Sequence, residues 1–569
     1  MKKFIVSVSM FFAVAIVISS CSSKGPKEAK LIPKDASFVT VVDAGSLKNK
    51  LQTANINIDS IINKIFEQDS SQSKHKQILK EFQETIVWND KFFIFTTNKK
   101  ISSNSDAISV NLIAPIKDSA KLYAFIIKQH DLKDKKVVHE KKYSYLQLGN
   151  DFSLSWTDKN VIATYYHVTE NKKMNIDSVI HVNEPESINK IDELKKQVDA
   201  FYTQSESESL ASVSMFMDLF KEKADAYSFS ASNGFTKYLN MMPLQIPKLD
   251  DLLKDNFTTS TFSFDDGKIT AKSFFYPNKT LSAIIKKYSG STVNLSMLEN
   301  YPSQNINGFL LLSFNPEIFN AILKELDVDA LANSYFEKLN ITNEDLFKCL
   351  KGDIAVAVSD LSLGEKFSEN KDSKTKQQYA KMVFNAAIGD KKSFNKIMDK
   401  AAESGFIIKQ NNTYKAGTLL QMFGIYIHVD DKNLIVASDS LTYANYVSKT
   451  GKANISSDVI NQIKDKSSAA YINLESIISS FNSTKFSSGD SSTYSTAKNT
   501  FKDIIATSSN YDGTKIASEF SVRLKNEKQN SLVTLMSLFT NISSRIVKNH
   551  QNDDSFEHLL LLDPSMGNF

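Results

Sequence analysis

A short unit made of one strand, one capping residue and one helix recurs along the sequence and constrains its fold. In the clearest copy, residues 309–312 (FLLL) form an apolar run of strand length. Asn315 is a good helix N-cap, and Pro316 occupies the first helical position, where its missing N–H costs nothing. The same order of elements recurs in three other segments: residues 38–51 with Asp43 as the cap, 226–239, and 470–481 with Asn473 as the cap.

These units belong to a longer series of elements that occurs twice. Six shared elements in one order indicate an internal duplication. Strands paired by hairpins and interspersed with helices favour an α+β fold, so we predict two related halves of mainly antiparallel sheet built from strand-cap-helix units. The paired landmarks are Asp118 and Asp390 as caps, residues 158–160 and 431–433 as turns, and residues 266–267 and 512–513 as Asp-Gly hairpins.

The duplication divides the chain into segments. Polar stretches interrupt the halves, and the serine-rich residues 482–496 are typical of a mobile loop. A strand is expected at residues 508–511, directly before the second Asp-Gly turn. The predicted segments are a lipoprotein signal peptide over residues 1–20, a flexible tether over 21–32, a first half over 33–298, a second half over 299–550 and a C-terminal tail over 551–569.

The first residues have the pattern of a bacterial lipoprotein signal. Two lysines precede an apolar run that ends at residue 18 and is too short to span a bilayer comfortably. Ser19 and Ser20 then precede Cys21, which resembles the bacterial lipobox, where the chain is cleaved before the cysteine and the cysteine is acylated. We therefore predict lipidation of Cys21, with palmitate or similar acyl chains as a stable anchor. The alternative is a plain secretory signal.

The residues after Cys21 favour an outer-membrane location. Residues 22–31 (SSKGPKEAKL) have no acidic residue directly after Cys21, so they lack the inner-membrane retention signal of enteric bacteria. They also lack the acidic run that resembles the surface-export signal of Bacteroidota lipoproteins. We expect a lipoprotein of the outer membrane, with the periplasmic face slightly favoured over the cell surface. No later stretch reaches about 18 apolar residues, so we expect no transmembrane helix.

Composition argues against a nucleic-acid partner. The chain of 569 residues has 68 Lys and Arg, 64 Asp and Glu, and a formal net charge of +4. Almost all of the basic residues are lysine, and Arg523 and Arg545 are the only arginines. Bidentate recognition of phosphate and guanine favours arginine, so we expect no nucleic-acid partner.

No recognisable catalytic, cofactor-binding or metal-ligating motif is present. The sequence has no P-loop, no G-x-G-x-x-G, no G-x-S-x-G and no H-E-x-x-H, and no two of its 8 histidines are four residues apart. Residues 393–396 and 449–451 match the S-x-x-K and K-T-G elements of penicillin-binding proteins, but they lie too close together to admit the helical domain between them. We therefore assign no catalytic, cofactor or metal residue.

Several chemically reactive side chains have a structural explanation. Cys349 lies among apolar residues and is expected to be a buried thiol. His428 is expected on one face of a half-exposed strand. The acidic pairs at residues 265–266 and 430–431 lack the spacing of an EF-hand loop and are expected in hairpin turns, which favour Asp.

Two segments resemble a family of Bacteroidota lipoproteins. They are residues 31–43 (LIPKDASFVTVVD) and residues 350–358 (LKGDIAVAV). That family is known as a domain of unknown function, so the resemblance implies an envelope lipoprotein and transfers no catalytic residue to this chain.

We favour a non-enzymatic, lipid-anchored binding or scaffolding protein, since no catalytic motif accompanies the lipoprotein signal. Its expected partners are the membrane, through Cys21, and an envelope protein or glycan. Two alternatives remain open. A hydrolase-type enzyme could act on an envelope or extracellular polymer at a cleft between the halves. A glycan-binding surface lipoprotein would need exposed aromatic platforms, for which Trp88 and Trp156 are the only tryptophans.

Overall fold

The computed structural model of the chain contains one large antiparallel sheet and a separate two-stranded hairpin. It describes residues 25–57, 73–102, 105–128, 136–170, 189–232, 246–362, 380–411, 413–480 and 488–538. The strands are β1 (Phe38–Asp43), β2 (Lys91–Ser102), β3 (Ser105–Pro115), β4 (Val138–His139), β5 (Ser144–Gln147), β6 (Phe152–Trp156), β7 (Asn160–Glu170), β8 (Ala226–Ala231), β9 (Phe257–Asp265), β10 (Lys268–Tyr276), β11 (Ile306–Ser313), β12 (Leu350–Ser359), β13 (Lys381–Ile388), β14 (Ile407–Gln410), β15 (Thr413–Ala416), β16 (Tyr426–Val429), β17 (Asn433–Ala437), β18 (Ser468–Ile472), β19 (Phe501–Ser508) and β20 (Ile516–Leu524).

Helices connect many of these strands and pack on the sheet. The α-helices are α1 (Ala44–Thr53), α2 (Ser73–Thr85), α3 (Ser119–Lys128), α4 (Lys190–Thr203), α5 (Ser214–Asp218), α6 (Leu249–Leu253), α7 (Lys279–Lys287), α8 (Ser296–Glu299), α9 (Glu317–Glu325), α10 (Asp329–Glu337), α11 (Asn343–Lys348), α12 (Lys391–Glu403), α13 (Thr418–Met422), α14 (Ser440–Val447), α15 (Ser457–Ile463), α16 (Leu474–Ser479) and α17 (Ser488–Thr500). The predicted α+β class is therefore confirmed.

The two halves have the same strand order. In the first half, strands pair in the order β6–β7–β3–β2–β1–β8–β9–β10. In the second half, the order is β16–β17–β13–β12–β11–β18–β19–β20. All of these pairs are antiparallel, as predicted. A duplication would leave this correspondence, although the duplication itself remains a prediction.

The halves join through their last strands. β10 pairs with β20, from Lys268 opposite Arg523 to Phe275 opposite Ile516. Each of these strands also pairs with the preceding strand of its own half, β9 or β19. The sheet therefore continues without interruption from one half to the other.

The predicted capping residues cap their helices. Asp43 accepts a hydrogen bond from the Ser46 backbone N–H at 2.8 Å, and Asn473 accepts one from the Ser476 N–H at 2.9 Å. Asn315 accepts one from the Glu317 N–H at 3.0 Å. These bonds satisfy N–H groups that have no partner inside the helix, so local sequence sets where the helices begin.

Each half has its own apolar core on one face of the sheet. In the first half, Phe95 of β2 contacts Phe201 of α4 edge to face, with ring centroids 5.3 Å apart. In the second half, Leu311 and Ile435 lie in one buried cluster with Ile463 of α15. A second buried cluster in each half packs under α3 or α12 on the opposite face, so only part of that face is left for other contacts.

The predicted flexible tether over residues 21–32 needs a correction, because its described part packs on the first half. Lys27–Leu31 form a 3-10 turn in which Ala29 is fully buried. A Cβ atom at Gly25 would overlap the Met217 side chain, so this glycine allows close approach. The Ile32 carbonyl accepts a hydrogen bond from the Leu210 N–H at 2.9 Å. Met217 and Leu210 lie far away in sequence. A prediction from the local composition of polar residues, Gly and Pro therefore misses these contacts.

The strand before the second Asp-Gly turn also differs from the prediction. The strand is Phe501–Ser508 rather than residues 508–511, and a longer loop around Asp512 connects it to β20. Part of the serine-rich stretch that was expected to be a loop is helical, within Ser488–Thr500. Asp512 accepts hydrogen bonds from the Thr514 and Lys515 N–H groups, so its turn forms inside that loop.

Candidate binding surface

One face of the sheet is buried in the core, and the opposite face is partly open to solvent. In β3, Ser109 and Asn111 are buried, whereas Val110 and Leu112 are 44% and 38% exposed. The same alternation is clear in β1, β2, β8, β11 and β12. We call the exposed side the open face.

A row of serines crosses the open face from one half to the other. The pairing register places one serine from each of six neighbouring strands directly opposite the next. All six are partly buried. The serine row consists of Ser228, Ser260, Ser273, Ser518, Ser508 and Ser468.

The hydroxyl groups of the serine row bond largely within the sheet. Ser260 and Ser273 share a hydrogen bond of 2.8 Å between their hydroxyls, and Ser508 and Ser518 share one of 2.9 Å. These two pairs occupy corresponding hairpins of the two halves. Their polarity is therefore satisfied without a ligand.

Uncharged rows flank the serine row on both sides. On one side, Phe262 and Phe520 are 37% and 43% exposed and alternate with alanines. That row consists of Ala226, Phe262, Ala271, Phe520, Ala506 and Ala470. On the other side, the row consists of Phe38, Ser230, Thr258, Phe275 and Ile516.

A cavity of about 400 Å³ opens on this face in the first half. Its lining includes Phe38, Ile108 and Phe275 together with small polar residues such as Ser37 and Thr96, and it contains no charged side chain. The cavity borders the serine row, because Ser230 in its lining lies two residues from Ser228 on β8. A volume of this size is within the usual range for small-molecule sites.

A larger groove of about 1330 Å³ lies at the edge of the first half and is strongly charged. Two of its five carboxylates form ion pairs: Asp43 with Lys91 at 2.8 Å, and Glu206 with Lys30 at 2.7 Å. Burial lowers the pKa of Lys91, but the hydrogen bond to Asp43 and the attraction of nearby negative groups, Asp43 first, together outweigh burial and raise the pKa overall. These pairs hold the N-terminal turn and β1 against neighbouring segments, which explains them structurally.

Ser393 and Lys396, the S-x-x-K match, both bind one carboxylate that links two helices. Ser393 Oγ lies 3.3 Å from Asp345 Oδ1, and Lys396 Nζ lies 2.5 Å from Asp345 Oδ2. Thr342 also donates to Asp345 as part of a capping box. Lys449, from the K-T-G match, lies after the end of α14 with a positive φ of 55°. Both matches therefore have structural roles.

Protonation of Asp345 should make this helix contact sensitive to pH. Burial raises the pKa of Asp345, but hydrogen bonds from Lys396 and Thr342 outweigh burial and lower it to about 2. The stabilisation is therefore complete above about pH 4 and is lost as the pH falls through the folded-state pKa. We expect Asp345→Asn to lower the free energy of unfolding at neutral pH, and the difference from wild type to shrink from pH 4 towards pH 2. Chemical denaturation at each pH measures this difference, and a constant difference would contradict the prediction.

The other residues singled out in the sequence have ordinary environments. Cys349 is buried, and burial raises the pKa of its thiol. His428 is partly exposed on β16, as expected. Trp156 is 4% exposed and lies in a buried apolar cluster, against which Trp88 packs. Trp88 donates its indole N–H to the Gln83 carbonyl. Cys21 and the predicted C-terminal tail lie outside the described residues.

The acidic pairs also lie where the sequence predicts. Asp265 ends β9 and Asp266 is the first residue of the β9–β10 turn, in which Gly267 takes a positive φ of 67°. Asp430 accepts hydrogen bonds from the Lys432 and Asn433 N–H groups in the β16–β17 turn. In the described part of the chain, no group of three or more His, Cys, Asp or Glu is placed to hold a metal ion. None of the described helices is long and apolar enough to cross a membrane.

These features define an α+β protein whose open sheet face has three central rows without a charged side chain. No protein-family model matches the chain, and no curated protein does. Among solved structures, crystal form IV of TP0453 is similar at 9% identity over 44% of this chain and 79% of that chain, with a TM-score of 0.24. Crystal form I of TP0453 gives 9% identity, 45% and 80% coverage, and a TM-score of 0.22. Such a weak likeness carries no argument, and the resemblance to Bacteroidota lipoproteins stays a prediction.

Proposed function

We propose that this protein is a lipid-anchored protein of the bacterial cell envelope that binds an apolar ligand on its open face. The open face carries the proposal. Apolar side chains such as Val110 and Phe520 remain about two-fifths exposed there, and the three central rows contain no charged residue. Extended exposed apolar patches are rare on monomeric proteins unless they bind something.

The position of Gly25 supports a body held close to the membrane. Cys21, the proposed site of lipidation, lies four residues before Gly25, which packs against Met217. Four extended residues span at most about 14 Å. An acylated Cys21 would therefore hold the first half near the bilayer, on the periplasmic face of the outer membrane in this proposal.

Metabolic labelling tests the anchor. Cells grown with an alkyne analogue of palmitate should incorporate the label into the wild-type protein and not into a Cys21→Ser variant. Protease treatment of intact cells then tests the side: resistance until the outer membrane is opened supports the periplasmic face, and cleavage in intact cells indicates the surface. Equal labelling of both proteins would overturn lipidation at Cys21.

Binding of the dye 1-anilinonaphthalene-8-sulfonate tests the open face. The native wild-type protein should bind the dye, which reports exposed apolar surface. Replacing both Phe262 and Phe520 with aspartate should reduce the fluorescence several-fold. Tyr335→Asp is the matched control, since Tyr335 is 74% exposed on α10 rather than on the sheet. Equal fluorescence from wild type and the double variant would overturn the proposal.

No observation favours the two alternative functions. The paired strands β10 and β20 join the halves, and a cavity of about 440 Å³ lies between residues 289–291 of the first half and Asp353 and Asp390 of the second. Asp353 accepts a hydrogen bond from Ser313 Oγ at 2.8 Å, and Asp390 accepts one from the Ser393 N–H at the start of α12, so these two carboxylates have structural partners. Trp88 and Trp156, on which a glycan platform would depend, belong to a core cluster.

A further inference from the structure

We propose that the open face holds the acyl chains of a membrane phospholipid, with the serine row as the floor of the site. This inference depends on the proposed function, because it names the ligand of the same surface. Four observations support it: the absence of charged side chains, the shape of the surface, the hydrogen bonds between serines, and the cavity that borders the row.

The charge of the surface matches a hydrocarbon ligand. The serine row and its two flanking rows contain no Asp, Glu, Lys or Arg, and neither does the cavity lining. Burying a charged group against such a surface would be costly, because no opposite charge compensates it. A free fatty acid carries its carboxylate directly on the chain, with no cation here to pair with. In a phospholipid, glycerol separates the charged headgroup from the chains and allows it to stay in solvent.

The shape of the surface suits an extended chain. Serine side chains are short, and they lie between Phe262 and Phe520 on one side and Phe275 and Ile516 on the other. Next to these four residues the row therefore forms a shallow depression, whereas the alanines that flank the rest of the row are no larger than serine. The row crosses six strands, which at ~4.8 Å per strand gives about 24 Å. One leaflet of a bilayer core, half of ~30 Å, is about 15 Å thick, so an acyl chain fits within the row.

The hydrogen bonds within the row favour a hydrocarbon over a sugar. Ser260 bonds to Ser273, and Ser508 bonds to Ser518. Ser273 also approaches the Thr259 carbonyl at 3.3 Å. Because these four of the six hydroxyls already have partners, covering the four with methylene groups leaves none of the four unsatisfied. A ligand rich in hydroxyl groups would have to compete with these bonds.

The cavity in the first half gives the chain a place to end. Phe38, Ile108 and Phe275 supply apolar walls to its volume of about 400 Å³. Phe38 and Phe275 also belong to the row that flanks the serines. The depression and the cavity therefore adjoin as one uncharged surface, with the cavity on the first half.

Phospholipid transfer from vesicles tests the inference. The probe is vesicles of phosphatidylethanolamine and phosphatidylglycerol, mixed with the mature chain from residue 21 carrying Cys21→Ser. After the vesicles are removed, organic phosphate is measured per chain. We expect about one phospholipid per chain. Phe520→Glu, which adds a charge, and Ser518→Phe, which fills the row, should each lower bound phosphate at least ten-fold. Tyr335→Glu on α10 should leave it unchanged.

Each other outcome has a defined meaning. Circular dichroism and melting temperatures must match wild type for the variants to count, and the two chemically different variants guard against a folding defect in one of them. No bound phosphate in wild type, fatty acid alone, or a lipid-free dimer formed through this face would each overturn the inference. If dye binding at Phe262 and Phe520 persists in that case, the proposed function survives and only the ligand class is wrong.

Discussion

Replacing Arg523 with alanine should lower the free energy of unfolding by about 3–5 kcal/mol, the usual cost of removing one partner from a buried ion pair. Arg523 donates from Nε and Nη2 to the two carboxylate oxygens of Asp503, at 2.5 and 2.6 Å. The Asp503 side chain is 4% exposed. Without the guanidinium, this carboxylate would stay buried and unpaired, which is why we expect a large effect.

Lys525 provides the matched control for Arg523. It lies two residues later and pairs with Glu475, whose side chain is 52% exposed. Exposed pairs contribute about 1 kcal/mol or less, so Lys525→Ala should have a small effect. Arg523→Lys should recover only part of the loss, because an ammonium group cannot bind both oxygens with the planar geometry of guanidinium. Urea denaturation followed by circular dichroism measures all three variants, and equal effects of Arg523→Ala and Lys525→Ala would refute the prediction.

The place of Arg523 in the fold shows what the sequence could not predict. The sequence identifies it as one of two arginines, but its partners Asp503 and Asp458 lie 20 and 65 residues away. Their contact depends on the pairing of β19 with β20, which brings Asp503 opposite Arg523. Composition shows that arginine is rare in this chain, but the ion pair of Arg523 follows only from the register of β19 and β20.

Local sequence signals were sufficient to predict where several helices begin and where the first Asp-Gly turn forms. Asp43, Asn315 and Asn473 cap helices because a side chain and an N–H two or three residues later are always close. The Asp-Gly pair at residues 266–267 likewise fixes a two-residue turn between β9 and β10. At Asp512 the same dipeptide lies inside a longer loop, so the strand prediction before it was wrong.

The candidate site was beyond sequence reasoning for a related reason. Its six serines come from six strands that are spread along the sequence from Ser228 to Ser518. No motif contains them, and each strand alone shows only alternating small and apolar residues. One usable signal was present: strands such as β8 and β18 lack charged residues on both faces. That pattern is unusual for a sheet with a solvated side.

Replacing Asp225 with alanine should be similarly destabilising, at about 3–5 kcal/mol. Its side chain is 1% exposed and accepts hydrogen bonds from Lys50 Nζ at 2.5 Å, Ser46 Oγ at 2.6 Å and the Phe264 N–H at 2.6 Å. One carboxylate therefore joins α1 to β9. Alanine would leave a lysine, a hydroxyl and a backbone N–H without their shared acceptor.

A double-mutant cycle separates the ion pair from the other contacts of Asp225. Lys50→Met alone should cost nearly as much as Asp225→Ala, because it leaves a buried carboxylate without a cation. The double variant should cost clearly less than the sum, since neither charge is then left unpaired. The exposed pair Lys391 and Asp431, 63% and 91% exposed, is the control cycle and should show a much smaller coupling energy, because solvent screens the two charges.

The result of this double-mutant cycle also tests what holds the strands of the open face in register. Asp225 directly precedes β8, and its partner Phe264 lies on β9, so the contact fixes two strands that carry Ser228 and Ser260. If the cycle shows strong coupling, Asp225 holds these strands in register, and weaker dye binding by Asp225→Ala would follow from a disturbed face. The opposite outcome is that Asp225→Ala and Lys50→Met each lower the free energy of unfolding by no more than the exposed control substitutions do. In that case the buried pair does not fix β8 against β9, and the register of the serine row depends on strand pairing alone.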